Sequence, residues 1–222
     1  LKTIDLSIQK IKDKGDSKLV QIKLTKIKNG EPITLSTLKE VHTQKIHLLI
    51  IDDSLEDYSH IHPAVTKIPG LYEFEWHPKK QANYRMWADL FPIETNTQEY
   101  VIADLTRAKI HRAKIDKTIF LRKIIDGFNF TLSFEGDLQA NKATMGKIMI
   151  TDQKGQPVKE LEPIMGAFAH IVGFLEDFKG IVHIHPMGKE PEKSTDRGGP
   201  ELQFHIEPEK AGFIKLFVQV KI

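Results

Sequence analysis

One pattern in this chain is written twice, and the repetition restricts the fold more than any single segment does. Residues 47–63 read HLLIIDDSLEDYSHIHP and residues 170–186 read HIVGFLEDFKGIVHIHP. In both, a leading His is followed at one fixed spacing by His-x-His-Pro: His47, His60, His62, Pro63 in the first copy and His170, His183, His185, Pro186 in the second. Landmarks on either side recur in the same order. The turn Lys28-Asn29-Gly30-Glu31-Pro32 returns as Gln153-Lys154-Gly155-Gln156-Pro157. Phe74, Pro78, Ala82, Trp87 and Asp89 meet Phe204, Pro208, Gly212, Phe217 and Gln219. The spacing between copies changes only in polar loops, chiefly after the second His-x-His-Pro, as duplicated domains with drifting loops require. The chain therefore divides into a first unit at residues 1–105, a basic linker at 106–118 containing TRAKIHRAKIDK, and a second unit at 119–222.

Within each unit the hydrophobic period is that of strands. Val20, Ile22 and Leu24 alternate with Gln21, Lys23 and Thr25, and Phe128, Phe130, Leu132 and Phe134 alternate with Asn129, Thr131 and Ser133. The first of these alternations breaks at Lys26 and Ile27, where a strand end or bulge is expected. Gln98 to Asp104 reads as the last strand of the first unit. Little of the chain has helical period, and Gly, Pro and Asn punctuate the short apolar runs. The expected fold is all-β: two tandem duplicated antiparallel β-sandwiches of immunoglobulin-like or cupredoxin-like form. Trp76, Trp87 and Phe217 are expected in the core.

Composition narrows the chemistry. The chain of 222 residues has no cysteine, which excludes disulfides, thiolate zinc centres and the Cys-ligated blue-copper site. Its 32 basic and 30 acidic residues are interspersed, so no field favours nucleic acid as a partner. No apolar run approaches the length of a membrane span; no signal peptide is expected at Leu1, and whether one was removed stays open. The sequence sets no oligomeric state.

The histidines have a stereochemical reason to be a site. Residues two apart on a strand share a face, so His60 and His62 are neighbours, as are His183 and His185. The acidic stretches 52–57 and 176–179 are expected to be hairpin turns. Pairing His47 opposite His60 or His62 then places three imidazoles on one face, with opposed Cβ atoms about 4.5 to 5.5 Å apart. Three converging ring nitrogens can hold an ion such as Cu(II) or Zn(II). Five residues before each leading His stand His42 and Met165, on the opposite face of a regular strand and able to join only through a loop or bulge. Met165 adds a thioether that selects Cu(I). The metal ligands expected are thus His47, His60, His62, His170, His183, His185, Met165 and His42; Met187 and His205 are weaker donors. Asp53 and Glu176 either accept from imidazole N–H groups or serve as ordinary turn carboxylates.

The string His42-His47-Tyr58-His60-His62-Pro63, with Pro78-Ala82-Tyr84-Trp87 after it, resembles a poorly characterised family of bacterial exported proteins linked to heavy-metal and copper handling. The second copy, with MGAFAHIVGF, FKGIVHIHPMG, Gly199-Pro200 and Phe204-His205, is similar to the family's other half, with Ile214 and Phe217 in place of its Tyr and Trp. The resemblance implies a periplasmic or secreted location and copper-related binding. The expected function is a non-enzymatic copper-binding protein, with zinc as the alternative ion, that buffers the metal or exchanges it with a protein donor or acceptor. Two other classes compete. His183-Ile184-His185 with Glu190 resembles a cupin metalloenzyme segment but lacks its surrounding pattern, and a sandwich of this kind also serves as an interaction module with structural metal.

Overall fold

The computed structural model describes residues 2–106 and 113–222, except the side chains of His183 and His185. It separates into two compact units, Leu1–Ile115 and Asp116–Ile222. Residues 107–112 of the expected linker, His111 included, lie outside the described residues.

The first unit is a sandwich of two four-stranded antiparallel sheets. One sheet runs β1 (Ile4–Lys14), β2 (Ser17–Lys26), β6 (Leu71–Trp76), β5 (Ala64–Val65). The other runs β4 (Tyr58–Ile61), β3 (Ile46–Asp52), β7 (Tyr84–Leu90), β8 (Glu99–Thr106). Period-two alternation decides what fills the space between them. Val20, Ile22, Leu24, Tyr72, Phe74 and Trp76 from the first sheet pack with Leu48, Ile50, Met86, Ala88 and Leu90 from the second. Each fully buried apolar side chain of this kind stabilises by about 1.5–3 kcal/mol. Two tyrosines of this core place their hydroxyls on acceptors: Tyr72 donates to the Ile33 carbonyl at 2.8 Å and Tyr84 to the Asp57 carboxylate, while the Tyr84 ring packs edge-on against Trp76 with centroids 4.7 Å apart.

β2 ends at Lys26, where the alternation broke. β1 is absent from the sequence reading because its register shifts between Ile8 and Lys10, so the Ile4-Leu6-Ile8 alternation stops and a Lys-rich exposed half follows.

The second unit repeats this plan with one change. β9 (Arg122–Ile125), β10 (Phe128–Phe134), β11 (Thr144–Thr151), β12 (His170–Leu175), β13 (Ile181–Met187), β14 (Glu201–Glu207) and β15 (Ile214–Gln219) form one sheet in the order β15-β12-β13-β14-β11-β10-β9. β13 starts against β12, with Gly173 opposite Val182, and crosses to β14, where His183 lies opposite Glu207. In the first unit the corresponding segment is cut into β4 on one sheet and β5 on the other, with His62 and Pro63 between. Proline has no N–H for a ladder, which suits it to that break. Ile148, Ile150, Phe204 and Ile206 pack with Leu175 and Val182, so the continuous sheet still encloses one core.

The duplication reaches the backbone angles. Leu55 and Phe178 turn the β3–β4 and β12–β13 hairpins at φ 59° and 58°, and Gly30 and Gly155 turn the matched earlier loops at 73° and 77°. The described residues contain no α-helix, and no helix is long and apolar enough to cross a membrane, which says nothing about a β-barrel.

Candidate metal centre

Strand register assembles the first histidine group. Leu48 lies opposite Ile61 and Leu49 opposite His60, so one further step along the hairpin brings His62 level with His47. Ile46, Leu48 and Ile50 point into the core, which leaves His47, Leu49 and Ile51 on the other face of β3 together with Trp87 of β7. Leu49, Ile51 and Trp87 are all buried there. The site thus has buried apolar neighbours on its own face of the sheet.

Three ring nitrogens meet on this face. His47 Nδ1 is 3.0 Å from His60 Nε2 and 3.0 Å from His62 Nε2, and one ligand atom from each lies within 4.8 Å of the others. The three ring centroids are 4.7 to 5.3 Å apart. On the far side of its ring, His47 Nε2–H donates to the Val41 carbonyl at 2.9 Å. That bond sets the tautomer: the proton is on Nε2, so Nδ1 presents its lone pair to the other two rings. A single lone pair cannot accept two full hydrogen bonds at once, whereas a cation among the three nitrogens would satisfy all of them. Burial of His47, with only 7% of its surface exposed, pushes its pKa below the usual value. The Val41 bond opposes this and His42 adds to it. The group is therefore held neutral, the form that binds metal.

The anchoring carbonyl is a device of the fold. Val41 and Gln44 bond each other across a two-residue turn, with His42 and Thr43 at φ 48° and 65°, the positive angles of a type I′ hairpin. In the second unit Ile164 and Ala167 close the same turn around Met165 and Gly166 at φ 49° and 80°. There His170 Nε2 meets the Ile164 carbonyl at 3.0 Å, the counterpart of the His47–Val41 bond. His42 and Met165 thus reach this region through a turn in both copies, as a regular strand would not allow. His42 is not part of the converging set of the first copy, and in both copies the turn supplies a backbone oxygen to the leading His.

In the second copy the backbone places His170 on β12 opposite Gln219, His183 opposite Glu207 and His185 opposite His205. The last two thus pair along β14, whereas His60 pairs along β3. Glu190 of the cupin-like segment stands in the exposed loop after β13. Asp53 and Glu176 serve the closing turns: Asp53 accepts from the Asn83 amide at 2.6 Å, and Glu176 from the Phe213 backbone N–H at 3.0 Å. Both hold the approach to the strand that pairs with the leading-His strand, β7 with β3 and β15 with β12, so the matched acids have a matched structural role.

Asp89 is the site-facing residue that sequence reasoning missed, having entered only as a repeat landmark beside Gln219. It lies opposite His47 on β7. Both its oxygens accept from the Gln98 amide, at 2.8 and 3.0 Å, and Gln98 also donates to the Tyr100 hydroxyl at 3.1 Å. Burial raises the Asp89 pKa to about 6, against a smaller lowering by Gln98. The Tyr100 hydroxyl is pushed upward by burial and then by the Asp89 charge. The signal available in the sequence was an acid after the apolar run Met86-Trp87-Ala88 of the strand YRMWADL.

A family model described as a domain of unknown function, DUF8832, matches residues 2–103 and 123–222. No curated protein matches the sequence. Among solved structures, the chain is similar to S. aureus TarS at 10% identity and a TM-score of 0.31, over 93% of this chain and 36% of that one. A likeness that weak bears on neither fold nor function.

Proposed function

The chain belongs to that family of domains of unknown function, and we propose that it is a transition-metal-binding protein whose ion sits among His47, His60 and His62, with His170, His183 and His185 as a second locus. The observation that carries the reading is the meeting of three ring nitrogens around His47 Nδ1 while its Nε2 is tied to a backbone carbonyl. Metal-binding imidazoles are oriented in this way by a bond at the far nitrogen.

Copper is the proposed ion, with zinc as the alternative. Separations of 3.0 Å subtend roughly 91–97° at an ion with bonds of about 2.0–2.1 Å. That is nearer the right angle of tetragonal Cu(II) than the tetrahedral angle of Zn(II). In the second copy, Met165 at the turn position of His42 brings a thioether into the same loop, which favours Cu(I). Buffering or handing on the ion in the cell envelope extends the reading, supported by the family resemblance of the His-x-His-Pro strings.

The test is a chelator-competition titration of tag-free protein with Cu(II), Cu(I) and Zn(II), repeated on His60→Ala. Structural zinc sites bind with about 10–16 kcal/mol over four ligands, so one imidazole contributes about 2.5–4 kcal/mol. His60→Ala is therefore expected to weaken the first site by about 10²–10³-fold. Wild-type protein that competes for none of the three ions would sink the proposal.

A further inference from the structure

Asp89 and His47 occupy opposed positions on neighbouring strands, so their side chains share a face. The row continues to Tyr100 on β8. Asp89 is partly buried, its two oxygens are served by one neutral amide, and among the described residues no cationic side chain pairs with it. A carboxylate withdrawn from water with only a neutral partner keeps much of its desolvation cost. A cation held by the neighbouring imidazoles would offset that cost. Asp89 is not one of the converging ligand groups, so its charge acts from the neighbouring strand position.

The second copy supplies the contrast. Opposite its leading His170 stands Gln219, an amide in place of the acid. The Gln219 Oε1 is buried and has no hydrogen-bond partner among the described residues. The two copies thus present the same leading His and the same anchoring carbonyl, with an acid opposite that His in the first and an amide in the second.

We propose that Asp89 sets the charge preference of the His47-His60-His62 site, selecting divalent over monovalent ions. This rests on the metal-binding reading given above. Coulomb energy scales with the charge of the ion. If removal of the Asp89 charge weakens a monovalent ion n-fold, it weakens a divalent ion about n²-fold, whatever the local dielectric.

The experiment uses the full chain carrying His170→Ala, so that the first copy reports alone, near neutral pH. The probes are Zn(II) as the divalent ion and Ag(I) as a redox-inert monovalent ion. Asp89→Asn is expected to lower Zn(II) affinity on the order of a hundredfold and Ag(I) affinity on the order of tenfold. Asp89→Glu, which keeps the charge, is expected to hold the Zn(II)/Ag(I) ratio of the parent. Equal factors for the two ions, or a ratio lost in both variants, overturn the proposal while leaving metal binding in place. A parent protein that binds neither ion overturns it together with the reading on which it rests.

Discussion

Replacing Asp89 by Asn in the metal-free protein should make the first unit more stable at neutral pH and change little in acid. The Asp89 carboxyl titrates near about 6 in the folded chain because burial disfavours its charge, against 3.8 when unperturbed. Between those two values the folded state binds the extra proton. Stability from this group is therefore full below about pH 4 and is lost as pH rises through about 6. A shift of about two units at 1.36 kcal/mol per unit gives a loss of about 3 kcal/mol. Asparagine has no charge to desolvate and escapes that loss, while giving up one acceptor for Gln98 worth about 1 kcal/mol at every pH. The variant should thus be slightly less stable than wild type in acid and about 2 kcal/mol more stable above neutrality. Urea unfolding followed by tryptophan fluorescence, with a chelator present, measures this. Both tryptophans, Trp76 and Trp87, lie in the first unit, so the signal excludes unfolding of the second. A difference between the proteins that stays constant across pH would refute the reasoning.

Two further outcomes follow from the packing and the turn. Thr43→Gly should stabilise the first unit by about 1 kcal/mol, because Thr43 holds a β-branched side chain at φ 65° where the second copy has Gly166 at 80°. A fall in thermal midpoint would show that Thr43 is not strained. Leu48→Ala removes a fully buried side chain one residue from His47 and should cost about 2.5–5 kcal/mol in the same urea assay. A cost under about 1 kcal/mol would mean that the two sheets collapse to fill the gap.

Much of the site was legible because alternation is a local property. A residue's face on a strand follows from counting by two, so the core placement of Val20, Ile22 and Leu24 and the shared face of His60 and His62 could be read directly. The duplication added a second reading of the same turns. β1 and β9 escaped notice for the same physical reason reversed: a register shift breaks the count in β1, and β9 is exposed throughout. The type I′ turn around His42 escaped as well, since neither His42 nor Thr43 advertises a positive φ as glycine does.

By itself the sequence determined that the chain is two copies of an all-β unit, that each copy carries three histidines at one spacing, and that His60 and His62 face the same way. Only the tertiary structure decided which residue each histidine meets. It set His62 level with His47, brought the Val41 carbonyl behind the ring, placed Asp89 opposite His47 and Gln219 opposite His170, and paired His183 and His185 with β14. The reason is that face is fixed by the chirality and pleat of one strand, whereas register is fixed between strands, by the turns and cores that pair segments distant along the chain.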